Sequence, residues 1–396
     1  MALLLGVASG TLTGLIPGVH INLVVVLLLG CSSFFLGVFS PLALVVFIVA
    51  MAVTHTFLDF LPSIYLGASD TDTELSILPG HEMLIKGRAY EATVLTLYGS
   101  MAAIVLTLFL VPLFIFVLPK VYVPLNNVMP FILIIASLFL FVFERKSRVW
   151  ALIVFSLSGF LGVASMNLGV NEPLLPLLTG LFGGSALVVS LKNKQRIPKQ
   201  QVRKFKHIRV KRKSLFRSLF ASLIASPLVS FLPGLGSGQA AVIGSEVTGD
   251  LGRGEFLILL GAINTMVAGL SFITLYSIGK ARSGASVAVS RIIPELSLWN
   301  LVVILGVIFV AGLVSFFITI LLAGVFSRNI SKVPYHYLSI IVLVILTVVV
   351  LVFSGLLGFL VFFVSSFLGV ACVLLGIKRV HLMGALLVPV ILFYLL

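Results

Sequence analysis

The sequence predicts an all-α polytopic membrane protein of two inverted-topology repeats, each with a broken or re-entrant helix at a Pro-Gly motif. Apolar residues form 60% of the 396-residue chain and charged residues 10%, too few polar side chains to cover a soluble globule of this size. Apolar runs long enough to span a bilayer fill most of the sequence. Pro-Gly breaks recur at equivalent points of the two halves, which is typical of repeats in secondary transporters.

Hydrophobic runs divide each half into seven apolar segments. In the first half we predict segments at 2–16, 19–38, 41–58, 93–118, 128–143, 149–168 and 174–191. In the second half we predict them at 215–232, 236–248, 255–278, 298–326, 336–353, 355–376 and 380–396. The chain is therefore expected to form one membrane repeat over 1–191, a basic linker over 192–213 and a second repeat over 214–396. Because each repeat has an odd number of segments, the two must insert with opposite orientations.

Much of the net charge of +14 lies in the linker, KNKQRIPKQQVRKFKHIRVKRK. A basic loop between hydrophobic segments stays on the cytoplasmic side and lies against anionic headgroups, so its expected partner is membrane lipid and not nucleic acid. The same rule places basic stretches at 86–88, 144–148, 327–332 and 378–379 on that side. We expect a multi-pass protein of the cytoplasmic (inner) membrane. Lys280, Arg282 and Arg291 are the exception, at the opposite side or within the bilayer.

Two Pro-Gly motifs, TGLIPGVHINLV from residue 13 and SFLPGLGSGQAAVIG at 230–244, interrupt apolar segments. Proline removes a backbone donor and disfavours helix at the residue before it, while glycine allows a turn and close approach of a ligand. A helix that restarts inside the bilayer points its positive end at a carboxylate or phosphate. A simple kink is the alternative for each motif. We predict a substrate site where the two breaks meet, formed by Pro17, Gly18, His20, Asn22, Pro233, Gly234, Gly236 and Ser237.

Acidic residues are candidates for handling a coupling ion. Asp59 lies in the apolar run FLDFLPSIYLG, where an ionisable group is costly and usually functional. Asp70 and Asp72 follow in GASDTDTELS, and Glu246 lies in GSEVTGDLGRGE. Their carboxylates are suited either to bind a hard cation such as Na⁺ or to carry protons. For Asp70, Asp72 and Glu246, capping of helices and loops is the competing interpretation.

The second half carries a basic interruption, SFITLYSIGKARSGASVAVSR at 271–291, opposite the acidic one. Lys280, Arg282 and Ser283 flank its small residues, and a guanidinium binds a carboxylate with two parallel hydrogen bonds. The alternative is that Lys280 and Arg282 extend to lipid headgroups. Gly67 and Gly279 hold corresponding places in the two halves.

The motifs that carry enzyme chemistry are absent from the sequence. It has no P-loop, no GxSxG and no Cys/His spacing for zinc, so we expect neither an enzyme, a metal centre nor a cofactor. The sequence leaves open whether Na⁺ is the coupling ion.

Three stretches carry a resemblance to a known family: GTLTGLIPGVHINLV, LPGHEMLIKGRAYEATVLTLYGS and PGLGSGQAAVIGSE. They resemble the permease subunit of tripartite tricarboxylate transporters, the TctA family, in its shorter archaeal-type branch. The resemblance points to Pro17, Gly18, Pro79, Gly80, Lys86, Gly87, Pro233, Gly234 and Gly236. It implies an ion-coupled importer of carboxylates that works with a small membrane subunit and an extracytoplasmic binding protein.

We therefore predict a secondary active transporter of a small organic anion, a di- or tricarboxylate, coupled to Na⁺ or H⁺. A flippase of lipid-linked phosphate is the alternative within transport, because paired Pro-Gly breaks also suit a phosphate headgroup. A membrane scaffold that transports nothing is the alternative from another class. The sequence leaves open whether the protein forms a homodimer.

Overall fold

Helices form the regular structure throughout the part of the chain that is described. The computed structural model describes residues 1–16, 39–67, 73–142, 144, 147–193, 197–202, 208, 210–231, 237–249, 251–332 and 335–396, and within these ranges there is no strand. Among them, six helices are long and apolar enough to cross a membrane. The prediction of an all-helical polytopic membrane protein is confirmed.

The first half contains α1 (Ala2–Leu15), α2 (Pro41–Leu58) continued by a π-helical turn (Pro62–Leu66), a 3₁₀ turn (Glu74–Ser76), α3 (Ile77–Ile85), α4 (Ala89–Val142), α5 (Arg148–Asn167), α6 (Leu174–Leu178), a π-helical turn (Thr179–Gly184) and α7 (Ser185–Asn193). The second half contains α8 (Arg212–Phe231), α9 (Ser237–Thr248), α10 (Arg253–Ile278), α11 (Gly284–Ile292), α12 (Leu298–Asn329), a 3₁₀ turn (Ile330–Lys332), α13 (Tyr335–Leu374), a 3₁₀ turn (Arg379–Met383) and α14 (Gly384–Leu395).

Serine side chains start several of these helices. The hydroxyls of Ser40, Ser147, Ser283 and Ser297 accept from backbone N–H groups in the first turns of α2, α5, α11 and α12. Such caps satisfy donors that a helix start otherwise leaves without a partner.

Two predicted boundaries had different outcomes. The predicted separation of 93–118 from 128–143 is wrong, because α4 continues from Ala89 to Val142 with four prolines inside it. Each proline removes one intrahelical hydrogen bond, and here the helix accommodates the loss. The predicted boundary between 336–353 and 355–376 is confirmed, since Gly355 has φ 67° and ψ −166° and separates α13 into two helices. Only glycine tolerates this backbone conformation readily.

Two spans form the centre of the protein. In the most apolar window of the span that contains α2, 72% of residues are buried, and in that of α10, 83%, whereas the other four spans have 22–39% buried. The remaining spans therefore surround α2 and α10 and leave apolar faces outside, as expected for helices that contact lipid.

Helices of one half pack on helices of the other in a reciprocal pattern. From the first half, α2 packs on α12 and α11, and from the second half α10 packs on α4 and α3. Likewise α1 contacts α12, and α8 contacts α4. If α1, α2, α3 and α4 correspond in order to α8, α10, α11 and α12, each contact has its counterpart.

Hydrogen bonds bring the basic stretches together in two pairs. The backbone N–H of Gln201 in the linker donates to the carbonyl of Gly87 at 2.8 Å, so the linker contacts the 86–88 stretch directly. In the other pair, Glu144 accepts from the imidazole of His381 at 3.1 Å, next to the 378–379 stretch. Both partners of this second pair are buried.

Candidate functional site

A line of buried polar side chains lies where α2, α10 and α12 meet. We name it the midplane seam, and it comprises Thr54, Thr56, Asp59, Asn264, Thr265 and Ser315. Asn264 is eleven residues from the start of the 26-residue α10. At about 1.5 Å per residue it lies roughly 16 Å along a helix of about 39 Å, close to the middle of the span.

Asp59 is the titratable residue of the midplane seam. Its side chain lies directly after α2 and is only 3% exposed, and its Oδ2 accepts a hydrogen bond of 2.7 Å from Nδ2 of Asn264 on α10. A buried carboxylate that receives a short N–H bond is held in a fixed position. The prediction that Asp59 belongs to the coupling site is consistent with this position but is not tested by it.

Hydroxyl groups continue the seam on both sides of that pair. Thr56 and Thr265 place their hydroxyl oxygens 3.4 Å apart, and Ser315 of α12 donates to the hydroxyl of Thr54 at 2.9 Å. Nδ2 of Asn264 also lies 3.5 Å from the carbonyl of Thr56, so these contacts form one compact group between α2 and α10. The seam joins the two halves of the chain through Asp59, which the sequence predicted, and through an amide and hydroxyls that were not predicted as site residues.

The last turn of α1 reaches the same region from the first Pro-Gly break. Nδ1 of His55 lies 3.1 Å from the hydroxyl of Thr13. His55 precedes Asp59 by four residues, which places both on one face of the helix. Gly14 lies so close to α2 that a Cβ there would be 2.9 Å from Cβ of Leu58. The last turn of α1 therefore lies directly beside the midplane seam.

Arg282 lies beside the approach to the second break. One terminal nitrogen of its guanidinium is 3.5 Å from the carbonyl of Val229, near the end of α8. Burial lowers the pKa of the Arg282 guanidinium from its ordinary value, and an arginine remains charged under such a shift. Its role in binding an anion stays a prediction.

The other predicted residues of the basic interruption differ in setting. Ser283 is the N-cap of α11, and its hydroxyl also donates to Ser271 of α10 at 2.9 Å. Lys280 is exposed at the end of α10 that lies opposite Arg253. The hydroxyl of Ser283 thus has a structural role, while Lys280 is available to solvent or headgroups.

The two interruptions begin in the same way. Gly67 ends the π-helical turn after α2 with φ 68°, and Gly279 ends α10 with φ 66°. Beyond each glycine a hydroxyl pair ties the chain back to its helix: Ser63 to Thr73 at 2.7 Å, and Ser271 to Ser283 at 2.9 Å. The correspondence of Gly67 and Gly279 expected from the sequence therefore extends to their backbone conformation.

Several predicted site residues lie outside the described residues. These are Pro17, Gly18, His20, Asn22, Asp70, Asp72, Pro233, Gly234 and Gly236. Of Glu246 only the backbone is described, within α9. Ser237, the first residue of α9, is described and buried. In the part of the chain that is described, no three His, Cys, Asp or Glu residues are grouped so as to hold a metal ion.

Sequence reasoning missed most of the hydroxyls in the midplane seam. Ser315 stands singly in an apolar segment, and Thr54 and Thr56 flank His55; in such segments a hydroxyl that bonds its own helix is common. A usable signal was the run THT before Asp59, three polar residues in one turn of a spanning helix.

The helical fold, with two buried spans joined through polar side chains, is that of a polytopic membrane protein. The chain belongs to the tripartite tricarboxylate transporter TctA family, whose model matches residues 1–384. It is accordingly the membrane permease component of a transporter and not a member of an enzyme family.

An uncharacterised protein of Methanocaldococcus jannaschii is 29% identical over 405 residues, covering 99% of this chain and 98% of the relative. No solved structure matches the chain.

Proposed function

We propose that the protein is a secondary active transporter that imports a small organic anion, a di- or tricarboxylate, coupled to Na⁺ or H⁺. The observation that carries the proposal is the contact of Asp59 with Asn264, because it places a buried carboxylate between the two most buried spans. Carboxylates buried within membrane spans usually bind or relay the ions that a transporter uses.

The surroundings of this contact supply the groups that coupling requires. Oxygen atoms of Thr56, Thr265 and Asp59 are suited to a hard cation, and Asp59 with His55 one turn away is suited to a proton. The last turn of α1, which precedes the first Pro-Gly motif in the sequence, lies beside this cluster. Arg282, next to the last turn of α8, supplies a positive charge for the anion.

The reciprocal packing of the halves supports inverted repeats with the linker on the cytoplasmic side of the inner membrane. Contacts of α2 with α11 and α12 have counterparts in those of α10 with α3 and α4, as expected for two related repeats that pack on each other. We further propose that a small membrane subunit and an extracytoplasmic binding protein assemble with this permease, as the name of the family indicates for its tripartite systems.

Uptake of labelled citrate and related acids into proteoliposomes tests the proposal. We expect uptake that depends on a sodium or proton gradient. In Asp59→Asn, the new amide oxygen still accepts from Asn264, so the fold is kept while the charge is lost, and gradient-driven uptake should fall at least about ten-fold. Glu144→Gln is the matched control, since it removes another buried carboxylate away from the midplane seam.

Two results would overturn the proposal. One is gradient-driven uptake by Asp59→Asn equal to that of the unmodified protein. The other is an absence of uptake for every carboxylate in the panel together with movement of lipid-linked phosphate across the bilayer.

A further inference from the structure

A cleft of about 430 Å³ lies at the linker end of the protein, away from the midplane seam. Its walls come from α3, the start of α4, the end of the linker and the start of α10. The volume lies within the range of small-molecule sites. Part of its wall is the stretch around KGRAYEA, which the proposed transport site does not use.

Basic side chains outnumber carboxylates in the lining of the cleft. Each lining carboxylate contacts an arginine: Glu82 with Arg253 at 2.6 Å, Glu91 with Arg88 at 2.5 Å, and Glu255 with Arg217 at 3.6 Å. The hydrogen bonds that Arg88 donates to Glu91 raise the pKa of the Arg88 guanidinium above its ordinary value.

Two lysines of the cleft have no carboxylate as a close partner. Lys86 and Lys211 line the cleft and are exposed, and neither has a carboxylate within ion-pair distance among the residues that the structure describes. The ammonium of Lys211 acts on the carboxylate of Glu255 from a longer distance. Because every lining carboxylate already has an arginine, the two ammonium groups leave the cleft with surplus positive charge. An anion with at least two charges matches it.

The linker is fixed against the protein beside this cleft. Gln200 accepts from the backbone N–H of Ala89 at 3.0 Å and donates to the carbonyl of Leu84 at 2.9 Å. The hydroxyl of Tyr98 donates to the carbonyl of Ile208 at 3.1 Å. Val210 and Lys211 are therefore held as one wall, and the linker has a role beyond contact with headgroups.

The cleft and the midplane seam share one helix, α10. Ile258 of α10 lines it, and Asn264 of the midplane seam follows six residues later on the same helix. Six residues of helix correspond to about 9 Å. An anion in the cleft would thus lie one or two helical turns from the midplane seam.

We infer that this cleft is a second binding site for a small multivalent carboxylate, occupied on the linker side as the anion passes between the midplane seam and the aqueous phase. The inference rests on the proposed function for the identity of the anion. The cleft itself is tested without transport.

Lysine footprinting provides that test. The full chain in phosphatidylcholine nanodiscs is labelled with an amine-reactive ester, with citrate or with sodium chloride of the same ionic strength. We expect citrate, and not chloride, to slow labelling of Lys86 and Lys211. Lys199 of the linker and Lys280 at the other end are exposed internal controls that should label at an unchanged rate.

Variants connect the cleft to transport. Lys86→Gln with Lys211→Gln should raise about ten-fold the citrate concentration that gives half-maximal flux from the linker side, and change the value on the opposite side less than about two-fold. Lys199→Gln, a matched loss of one charge, should leave both values unchanged.

Each contrary outcome has a definite meaning. The inference is overturned if citrate protects all four lysines equally, if inorganic phosphate protects and citrate does not, or if added phosphatidylglycerol alone protects the cleft. If Lys86 and Lys211 are protected but no carboxylate is transported, the proposed function fails while the binding site stands.

Discussion

The contact between α4 and α10 offers a sharp test of how the two halves are joined. Gly99 of α4 lies against the backbone of α10, where an added Cβ would overlap the carbonyl oxygen of Ile258 and lie 2.8 Å from the backbone nitrogen of Ala262. Ser100, the next residue, donates to the carbonyl of Gly261 at 3.0 Å. Because the obstructing atoms are backbone, Gly99→Ala must push the helices apart.

The magnitude follows from three contributions. Overpacking costs about 1–3 kcal/mol, and loss of the Ser100 hydrogen bond adds about 0.5–1.5 kcal/mol. Alanine regains about 0.5–1 kcal/mol through its higher helix propensity. We expect a net destabilisation of about 0.5–4 kcal/mol.

Equilibrium unfolding of the purified protein in a denaturing detergent series measures this difference. Gly306→Ala is the control, because Gly306 is an exposed residue of α12 with nothing within 4 Å of an added Cβ. That variant should be neutral or slightly stabilised. Equal stability of the two variants would show that α4 and α10 do not pack through Gly99, and the reasoning would be refuted.

Two further predictions concern buried and docked polar side chains. Tyr65→Phe should lower stability by about 1–2 kcal/mol, because the hydroxyl of Tyr65 bonds Ser327 at 2.6 Å and the carbonyl of Ala323 at 3.1 Å; the exposed Tyr337→Phe is the control in the same unfolding assay. Gln200→Ala should release the linker and speed its cleavage by trypsin about ten-fold, a loss of about 1.4 kcal/mol; Val202→Ala, at a more exposed neighbour, should not.

Either prediction has a simple refutation. If Tyr65→Phe is as stable as Tyr337→Phe, the hydroxyl of Tyr65 contributes nothing to the stability of the fold. Trypsin cleavage of Gln200→Ala at the unmodified rate would mean that the linker is held by other contacts.

Some elements were readable from local sequence and others were not. The boundary at Gly355 was predicted correctly because glycine between two apolar runs marks a local backbone break. The boundary within α4 was predicted wrongly because prolines in a polar-containing stretch also suggest a break, yet α4 continues through them. Packing of neighbouring helices compensates for hydrogen bonds lost at proline, and that compensation is not visible in the sequence.

The same division holds for the candidate site. Asp59 was selected from sequence because a lone carboxyl group in an apolar run is costly wherever it packs. Asn264 was not selected, since no local feature says which helix face meets Asp59 some two hundred residues earlier. Lys86 and Lys211 became a pair only through docking of the linker on the turn between α3 and α4.

Composition and hydropathy by themselves determined that this chain is a helical membrane protein with an acidic residue inside a span, because the cost of polar groups in lipid depends on residue type and run length alone. Which helices became central, which polar atoms met across the two halves, and where surplus positive charge was left at the linker end were decided by the tertiary structure. These depend on distances between residues far apart in the chain, and only packing of the whole chain sets those distances.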